Sequence, residues 1–367
     1  MNKLDQLAEL GQSIWLDFIR RSLITSGELQ ELVDGGLRGM TSNPTIFDKA
    51  ISGSDDYDGA LRGLVTGGGT VQEIYEALAM EDIRLAADVL RPVYDRSDGL
   101  DGYVSLEVSP KLAHATAGTV EEALRLFAAL DRPNVMIKVP ATPAGLPAIE
   151  TLIAAGLNIN VTLIFSLDQY RAVAEAYIAG LEKLAASGRD LAHSASVASF
   201  FVSRIDSAVD GALQTGAPDD AAARGKTAVA SAKVAYALFE EIFAGQRWER
   251  LAASGARVQR PLWASTSTKN PAYPDTMYVD TLIGPHTVNT LPPATLEDFQ
   301  DHGTVALTVR EGVEEARQHL ARLPELGVDL EAIAQKLLDD GVASFARSFD
   351  SLLASVGQKA AQLRGDR

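Results

Sequence analysis

Several short apolar runs of this chain carry a polar residue near their carboxyl ends, where a buried strand would meet solvent. Asp17, Glu107 and Lys138 hold such positions, and so do the polar residues of other runs: Asn43, Asn160, Thr162 and Ser199. Any one of them is ordinary, because strand ends are often solvated and buried polar groups are usually paired. An acid, an amine and several amides or hydroxyls on successive runs instead indicate one shared site.

Lys138 offers the most specific chemistry of this set. Its neighbours Ile137 and Val139 are apolar, so its ammonium group is expected to be desolvated, which favours the neutral amine. A neutral lysine amine attacks a carbonyl to form a Schiff base, and the carboxyl groups of Glu107 and Asp17 could move the protons that this step requires. The pattern alone equally allows a structural lysine that pairs with Glu107 or reaches solvent at an edge strand.

Bringing these groups together requires strands whose carboxyl ends converge. β-branched and apolar content predicts eight short strands, which are Ser13–Asp17, Leu37–Thr41, Gly102–Ser109, Asn134–Val139, Asn158–Phe165, Ala195–Val202, Arg260–Ser265 and Thr276–Leu282. Their alternation with helical segments predicts a parallel sheet, and eight repeats favour an α/β fold closed as a (β/α)8 TIM barrel with its site at the carboxyl ends of the strands. An open doubly wound sheet is the alternative, but no Gly-x-Gly-x-x-Gly motif follows the first strand.

Helical periodicity fills the segments between the strands and continues towards the end of the chain. Residues 168–184 and 221–243 are predicted as helices, and residues 330–363 as the last helix. Thr119 is expected to cap the helix that follows it, and Asp329 to cap the last helix, because hydroxyl and carboxylate oxygens accept from the free backbone N–H groups of a first turn.

Domain organisation is predicted from the absence of any dividing feature. No linker, internal repeat or low-complexity tract interrupts the 367 residues. Single α/β barrels run from about 200 to over 400 residues, so this length is compatible with one barrel. We therefore predict one domain over residues 1–367, with extra helices and a helical C-terminal extension over about residues 305–367.

Composition excludes several functions. With 33 Lys and Arg against 49 Asp and Glu, the formal net charge is −16, which argues against nucleic-acid binding. The absence of cysteine excludes a disulfide framework, a thiolate nucleophile and cysteine-ligated metals. The five histidines lack metal-site spacing, and only His286, after the predicted eighth strand, is expected near the barrel mouth. With no run of about 18 apolar residues and no signal peptide, a cytoplasmic protein without membrane contact is expected.

Five short motifs occur in an order that resembles the transaldolase family. They are Thr41–Thr45, Ser105–Val108, Ile137–Thr142, Asn158–Ser166 and Ser199–Arg204, and the resemblance extends from residue 13 to about residue 285. It implies a class I, Schiff-base barrel that transfers a dihydroxyacetone unit between sugar phosphates in the pentose phosphate pathway. Sedoheptulose 7-phosphate and glyceraldehyde 3-phosphate would exchange with erythrose 4-phosphate and fructose 6-phosphate. The resemblance implies no metal or organic cofactor, and it allows a homodimer.

The resemblance also implies roles for the catalytic residues. Lys138 matches the Schiff-base lysine, because it lies in the Ile-Lys-Val-Pro motif. Glu107 and Thr162 match the pair that activates a catalytic water. Asp17 matches the acid and base of carbon–carbon bond cleavage.

Substrate-binding roles follow from the same resemblance. The dihydroxyacetone hydroxyls are expected to be held by Asn43, Asn160 and Ser199, and the phosphate by Arg204. After the seventh strand the chain departs from the family pattern, and Ser267 and Lys269 align with the family's serine and second phosphate-binding arginine. Lysine is a point charge and not a two-pronged donor. Ser265 is the alternative hydroxyl in this segment.

Two other functions stay open at this stage. A fructose 6-phosphate aldolase would use the same Schiff base but release the three-carbon unit to water. A non-catalytic sugar-phosphate-binding barrel would keep Arg204 and Lys269 without needing Lys138, Glu107 and Asp17 together. The joint presence of those three residues favours the enzyme, and the pairing of the acids with Thr162 favours a transaldolase.

Overall fold

Eight parallel strands close into one barrel in the computed structural model, which describes residues 2–213, 221 and 223–365. The strands are β1 (Gln12–Asp17), β2 (Gly39–Thr41), β3 (Tyr103–Glu107), β4 (Val135–Pro140), β5 (Ile159–Ile164), β6 (Ser196–Phe201), β7 (Arg260–Ala264) and β8 (Thr287–Leu291). Each strand pairs with its neighbours in sequence, and β8 pairs with β1 to close the ring. The predicted (β/α)8 barrel is confirmed.

Helices surround the barrel and extend beyond its last strand. They are α1 (Lys3–Glu9), α2 (Arg21–Thr25), α3 (Glu28–Asp34), α4 (Pro44–Ser52), α5 (Asp58–Thr66), α6 (Val71–Arg96), α7 (Thr116–Leu130), α8 (Gly145–Ala154), α9 (Leu167–Ala186), α10 (Ser203–Ala212), α11 (Thr227–Ile242), α12 (Gln246–Ala253), α13 (Met277–Asp280), α14 (Pro293–His302), α15 (Val313–Arg322) and α16 (Leu330–Gly365). Short 3₁₀ helices cover Pro110–Leu112 and Leu323–Leu326. Within the described ranges, no helix is both long and apolar enough to span a membrane.

The eighth strand was predicted wrongly and lies further along the chain. Residues 276–282 contain helix α13 instead of a strand. The Thr276 hydroxyl, just before this helix, donates to Oδ2 of Asp280 at 2.8 Å. Strand β8 begins at Thr287 and pairs with both β7 and β1. Residues 276–282 and 287–291 are both rich in β-branched and apolar residues, so composition could not tell which of them forms the strand. The choice depends on pairing, because the strand that closes a barrel must hydrogen-bond to a neighbour on each side. His286 therefore precedes β8 and lies at the amino ends of the strands, away from the mouth where we expected it.

One predicted helix begins later than expected. The helix predicted over residues 221–243 is α11, which starts at Thr227. Gly225 just before it has a φ of 68°, in the left-handed region that glycine adopts readily and that ends regular helix. Residue 222 of this prediction lies outside the described residues.

Of the two predicted caps, one is confirmed and one is wrong. Asp329 caps α16, because its Oδ1 accepts from the backbone N–H of Ala332 at 3.0 Å. Thr119 lies inside α7, which begins at Thr116. Its hydroxyl donates instead to the carbonyl of Leu112 at 2.9 Å, so it ties α7 to the preceding turn.

The amino ends of the strands enclose a buried polar cluster. The Arg260 guanidinium donates to Oδ1 of Asp101 at 2.9 Å and to Oγ of Ser13 at 2.7 Å, and Ser13 donates to Oδ2 of Asp101 at 2.7 Å. Nearby, Nε2 of Gln12 donates to the Thr287 hydroxyl at 2.9 Å. Only Nε of Arg260 and Oε1 of Gln12 in this group are buried without a partner among the described residues. These packed side chains occupy this end of the barrel, so the opposite end is left for a site.

The C-terminal helix α16 packs across the carboxyl-end side of the barrel, chiefly against α4. The hydroxyls of Thr45 and Ser348 lie 2.8 Å apart and join the two helices. Further along, Nζ of Lys359 donates to the carbonyl of Ser54 at 2.7 Å. Because α4 follows directly from β2, this contact brings the end of the chain next to the barrel mouth.

Candidate active site

A cavity of about 280 Å³ opens at the carboxyl ends of the strands. Eight of the ten predicted site residues line it, which are Asp17, Asn43, Lys138, Thr162, Ser199, Arg204, Ser267 and Lys269. Glu107 and Asn160 do not line the cavity but lie in contact with residues that do. The barrel register explains the grouping, because Lys138 of β4 is level with Glu107 of β3 and Asn160 of β5.

Lys138 is only 5% exposed although it is charged in its ordinary state. Its Nζ donates to the backbone carbonyl of Ser42 at 3.0 Å and lies 3.6 Å from Oε2 of Glu107. The residue therefore has both features that the sequence left open, a nearby carboxylate and a place on the wall of a cavity. The second feature gives its amine access to a bound carbonyl carbon.

Glu107 and Thr162 each carry an unsatisfied buried oxygen. Oε2 of Glu107 and Oγ1 of Thr162 are buried and have no hydrogen-bond partner among the described residues. Burial raises the pKa of the Glu107 carboxyl to about 7, although the Lys138 charge acts in the opposite direction. Glu107 also lines a second cavity of about 30 Å³, and a single water needs only roughly 10–15 Å³ of such space. Buried oxygens of this kind are normally satisfied by ordered water.

Asp17 at the end of β1 is held by a chain of two hydroxyls. The Thr41 hydroxyl donates to Oδ1 of Asp17 at 2.7 Å, and the Thr290 hydroxyl lies 2.7 Å from that of Thr41. Burial raises the pKa of the Asp17 carboxyl, while the Lys138 charge and the Thr41 hydrogen bond oppose the rise. A carboxylate with a raised pKa is a better proton acceptor than an ordinary aspartate.

The residues predicted to bind the substrate hydroxyls take different positions. Ser199 and Asn43 line the cavity, whereas Asn160 lies behind Ser199. The Ser199 hydroxyl donates to Oδ1 of Asn160 at 2.7 Å, and Nδ2 of Asn160 donates to the Ser105 hydroxyl at 3.1 Å. Asn160 is fully buried, so its amide orients Ser199 from behind the cavity wall. Asn43 caps α4 by accepting from the N–H of Ile46 at 3.0 Å, which fixes its side chain at the mouth.

Three cations line the cavity, namely Arg204, Lys269 and Lys49. Within the described part of the chain, no carboxylate lies within ion-pair distance of any of them. The Arg204 guanidinium lies 5.2 Å from the ring centroid of Phe201, and burial lowers its pKa. Desolvation and the Arg204 charge lower the pKa of Lys269, whose Nζ donates to the Ser267 hydroxyl. Cations gathered without acidic partners suit a multiply charged anion such as a phosphate.

A family model described as "Transaldolase/Fructose-6-phosphate aldolase" matches residues 14–356. The chain belongs to this family. It is 53% identical over 359 residues to a transaldolase of Parafrankia sp., with 97% of each chain covered. It is 52% identical to a transaldolase of Thermobifida fusca, with 98% of each chain covered, and 49% identical to Transaldolase 2 of a Nostoc species over 98% of each.

The transaldolase resemblance of the five motifs is thereby confirmed at the level of the family. The structure describes the segment after β7, where the sequence left two serines as candidates. Ser265 and Ser267 both line the cavity. The Ser265 hydroxyl lies 3.1 Å from that of Ser203, whereas Ser267 is joined to Lys269, so Ser267 is the hydroxyl next to the cations.

Sequence reasoning missed several residues that line the cavity, among them Thr41, Lys49, Phe201, Thr290 and Phe345. Thr290 was hidden by the misplaced eighth strand. Lys49 lies within the helix that Asn43 caps, and its position after the Thr41–Thr45 motif is a usable signal. Phe345 belongs to α16, and no local pattern in the sequence connects that helix with the barrel mouth.

Proposed function

We propose that this protein is a transaldolase that carries a dihydroxyacetone unit between sugar phosphates as a Schiff base on Lys138. The observation that carries this proposal is the buried Lys138 amine on the cavity wall. The Glu107 carboxyl lies 3.6 Å from it, and Asp17 and three unpaired cations line the same cavity. The family supports the exchange of sedoheptulose 7-phosphate and glyceraldehyde 3-phosphate with erythrose 4-phosphate and fructose 6-phosphate, in the pentose phosphate pathway.

Schiff-base formation is the first step. The neutral amine of Lys138 attacks the C2 carbonyl of the ketose, and the resulting carbinolamine loses water to become an iminium ion. Glu107 can donate and accept protons for this step near neutral pH, because burial places its pKa at about 7. A water held by Glu107 and the Thr162 hydroxyl would relay these protons and satisfy both oxygens.

Carbon–carbon cleavage follows from the electron demand of the iminium. Asp17 accepts the proton of the C4 hydroxyl, the C3–C4 bond breaks, and its electron pair moves into the iminium to leave an enamine on Lys138. The aldose phosphate departs as the aldehyde. The raised pKa of Asp17 suits it to this role, because the same group must return the proton when the acceptor aldehyde is attacked.

The enamine must persist until an acceptor arrives. Ser199, oriented by Asn160, and Asn43 at the α4 cap are proposed to bind its hydroxyl groups. Arg204, Lys269 and Ser267 are proposed to bind the phosphate of the sugar. The proposed mechanism needs no metal or organic cofactor, since the iminium itself supplies the electrophile.

The proposal also covers the domain organisation, the partners and the location of the protein. We place the chain as a single barrel domain over residues 1–367, with about residues 305–367 as a helical C-terminal extension, because α16 packs on the barrel. The substrates are small sugar phosphates. Nucleic acid is not proposed as a partner, in keeping with the net charge of −16. A cytoplasmic location suits phosphorylated sugars, and a homodimer is proposed from the resemblance alone.

Borohydride trapping tests the proposal directly. The protein is reduced in the presence of fructose 6-phosphate, digested and mapped by mass spectrometry, with Lys138→Ala and Lys269→Ala as paired variants. A three-carbon adduct on Lys138 is expected in the wild type and in Lys269→Ala. No adduct, or an adduct on another lysine, contradicts the mechanism. Adding erythrose 4-phosphate then separates a transaldolase, which forms sedoheptulose 7-phosphate, from an aldolase, which mainly releases dihydroxyacetone.

A further inference from the structure

Helix α16 contributes one aromatic side chain to the wall of the substrate cavity, that of Phe345. We propose that Phe345 is a specificity-determining residue that keeps solvent away from the three-carbon enamine on Lys138, so that the unit is transferred and not released. The inference rests on the proposed function, because it concerns the fate of the intermediate. Through Phe345, the C-terminal helix would then influence whether the three-carbon unit is transferred to an aldehyde or released as dihydroxyacetone.

The position of Phe345 is fixed from both sides along the helix. One turn before it, Gly341 packs against Leu163 of β5, and one turn after it the Ser348 hydroxyl meets that of Thr45 at 2.8 Å. Phe345 is 4% exposed although it lines an open cavity, so its ring is covered by the barrel on one side and the helix on the other. A side chain held in this way forms a fixed part of the wall.

The surrounding wall shows what an aromatic ring adds there. Most of the lining is polar, comprising the catalytic groups, hydroxyls and cations described above. Such groups attract water, and only a few apolar residues share the lining with Phe345: Ile46, Phe201, Ala264 and Pro292. Removing a ring from this apolar part opens a space next to a polar cavity, where water enters readily.

Water that reaches the enamine diverts the reaction. The nucleophilic carbon takes a proton from water, which restores an iminium ion, and hydroxide then adds to C2. Dihydroxyacetone leaves, the C2–N bond breaks and Lys138 regains its amine. The water consumed replaces the water released when the Schiff base formed, so the net reaction is cleavage of fructose 6-phosphate to dihydroxyacetone and glyceraldehyde 3-phosphate. Excluding water protects reactive intermediates from this kind of loss.

The experiment compares Phe345→Ala with Leu352→Ala. Leu352 is fully buried two turns further along α16 and does not line the substrate cavity, so its loss matches the packing defect without opening the wall. Fructose 6-phosphate and erythrose 4-phosphate are supplied together, and the ratio of dihydroxyacetone to sedoheptulose 7-phosphate is measured. We expect Phe345→Ala to raise this ratio at least about fivefold, since about 1 kcal/mol of altered partition has that effect, and Leu352→Ala to leave it near the wild-type value.

Two further measurements keep the test decisive. Phe345→Val retains a smaller apolar side chain, so it should give an intermediate ratio even if Phe345→Ala fails to fold. In D2O the dihydroxyacetone should carry a solvent-derived deuterium on one carbon, which identifies protonation of the enamine. An unchanged ratio in the folded Phe345 variants, or an equal rise in Leu352→Ala, overturns the inference. A missing Lys138 adduct in the wild type overturns the proposed function instead, so the two failures are distinct.

Discussion

Gly341 of the C-terminal helix lies so close to Leu163 of β5 that a Cβ atom at residue 341 would be 2.9 Å from Cδ2 of Leu163. Leu163 has a φ of 61°, a left-handed conformation that is strained for a branched side chain. The register between β5 and β6 is irregular between Val161 and Ile164, which brackets this residue. Thr162, whose buried Oγ1 has no hydrogen-bond partner among the described residues, lies within the same irregularity. The helix thus holds the segment that orients Thr162.

Adding a methyl group at residue 341 should therefore disturb catalysis from a distance. Leu163 is fully buried, so its side chain has little free space in which to turn away from the added methyl group. We expect Gly341→Ala to lower kcat, by up to about 100-fold if Thr162 moves by about 1 Å, with little change in KM. Gly357→Ala in the same helix is the control, since its Cβ would meet Cγ2 of Val71 at an ordinary 3.5 Å. Equal steady-state kinetics for the two variants would contradict this coupling.

The raised pKa of Glu107 predicts a pH-dependent cost in stability. Its pKa is about 7 when folded and 4.5 ordinarily, so between those values the folded chain keeps a proton that the unfolded chain has released. The free energy of unfolding therefore falls as pH rises through this window, and the loss is complete above pH 7. Glu107→Gln removes the titration. From pH 5 to pH 8 the difference in the free energy of unfolding between the variant and wild type should shift in the variant's favour by on the order of 2–3 kcal/mol.

Urea unfolding of both proteins at several pH values measures this difference. A difference that stays flat with pH would show that the carboxyl titrates normally. Activity provides the second readout, because loss of a general acid and base typically lowers kcat about 10²–10⁴-fold. The two readouts are therefore separate, because the stability of Glu107→Gln relative to wild type should rise with pH, whereas its activity should be much lower throughout.

The cation cluster predicts a selective effect on phosphorylated substrates. Arg204→Gln removes a guanidinium that has no carboxylate partner among the described residues, so its loss affects the substrate more than the fold. We expect KM for fructose 6-phosphate to rise about 10–100-fold, the range of one charge-assisted hydrogen bond, with little change for unphosphorylated fructose as donor. Lys111→Gln is the control, because Lys111 pairs with Asp350 at 2.7 Å outside the cavity. Equal changes for both donors would remove Arg204 from the phosphate site.

The buried polar cluster at the amino ends of the strands should affect stability and not activity. Arg260→Met leaves Asp101 buried without its ion-pair partner, and breaking a buried pair in this way typically costs about 3–5 kcal/mol. Denaturant unfolding should show that loss, while kcat/KM measured on the folded fraction stays near wild type. Arg260→Met combined with Asp101→Asn should recover part of the stability. A large fall in kcat/KM without a fall in stability would contradict a purely structural role.

Local pattern accounts for much of what was predicted. Seven of the eight predicted strands overlap the strands of the barrel, and the polar residues at their carboxyl ends line or border one cavity. Both outcomes depend on short-range periodicity, because a strand alternates its faces residue by residue and parallel strands point their carboxyl ends the same way. The family motifs are equally local, being runs of four to nine residues.

The sequence by itself thus determined the barrel, the Lys138, Glu107 and Asp17 set, and the absence of cysteine chemistry. Only the tertiary structure decided which segment became β8, since Thr287–Leu291 prevailed over a similar run by pairing with β7 and β1. It also decided that Phe345 lines the cavity and that Gly341 approaches Leu163 of β5, although about 200 residues separate Gly341 and Phe345 from Lys138. Such contacts depend on how a finished helix packs on a finished barrel, and no local periodicity encodes that packing.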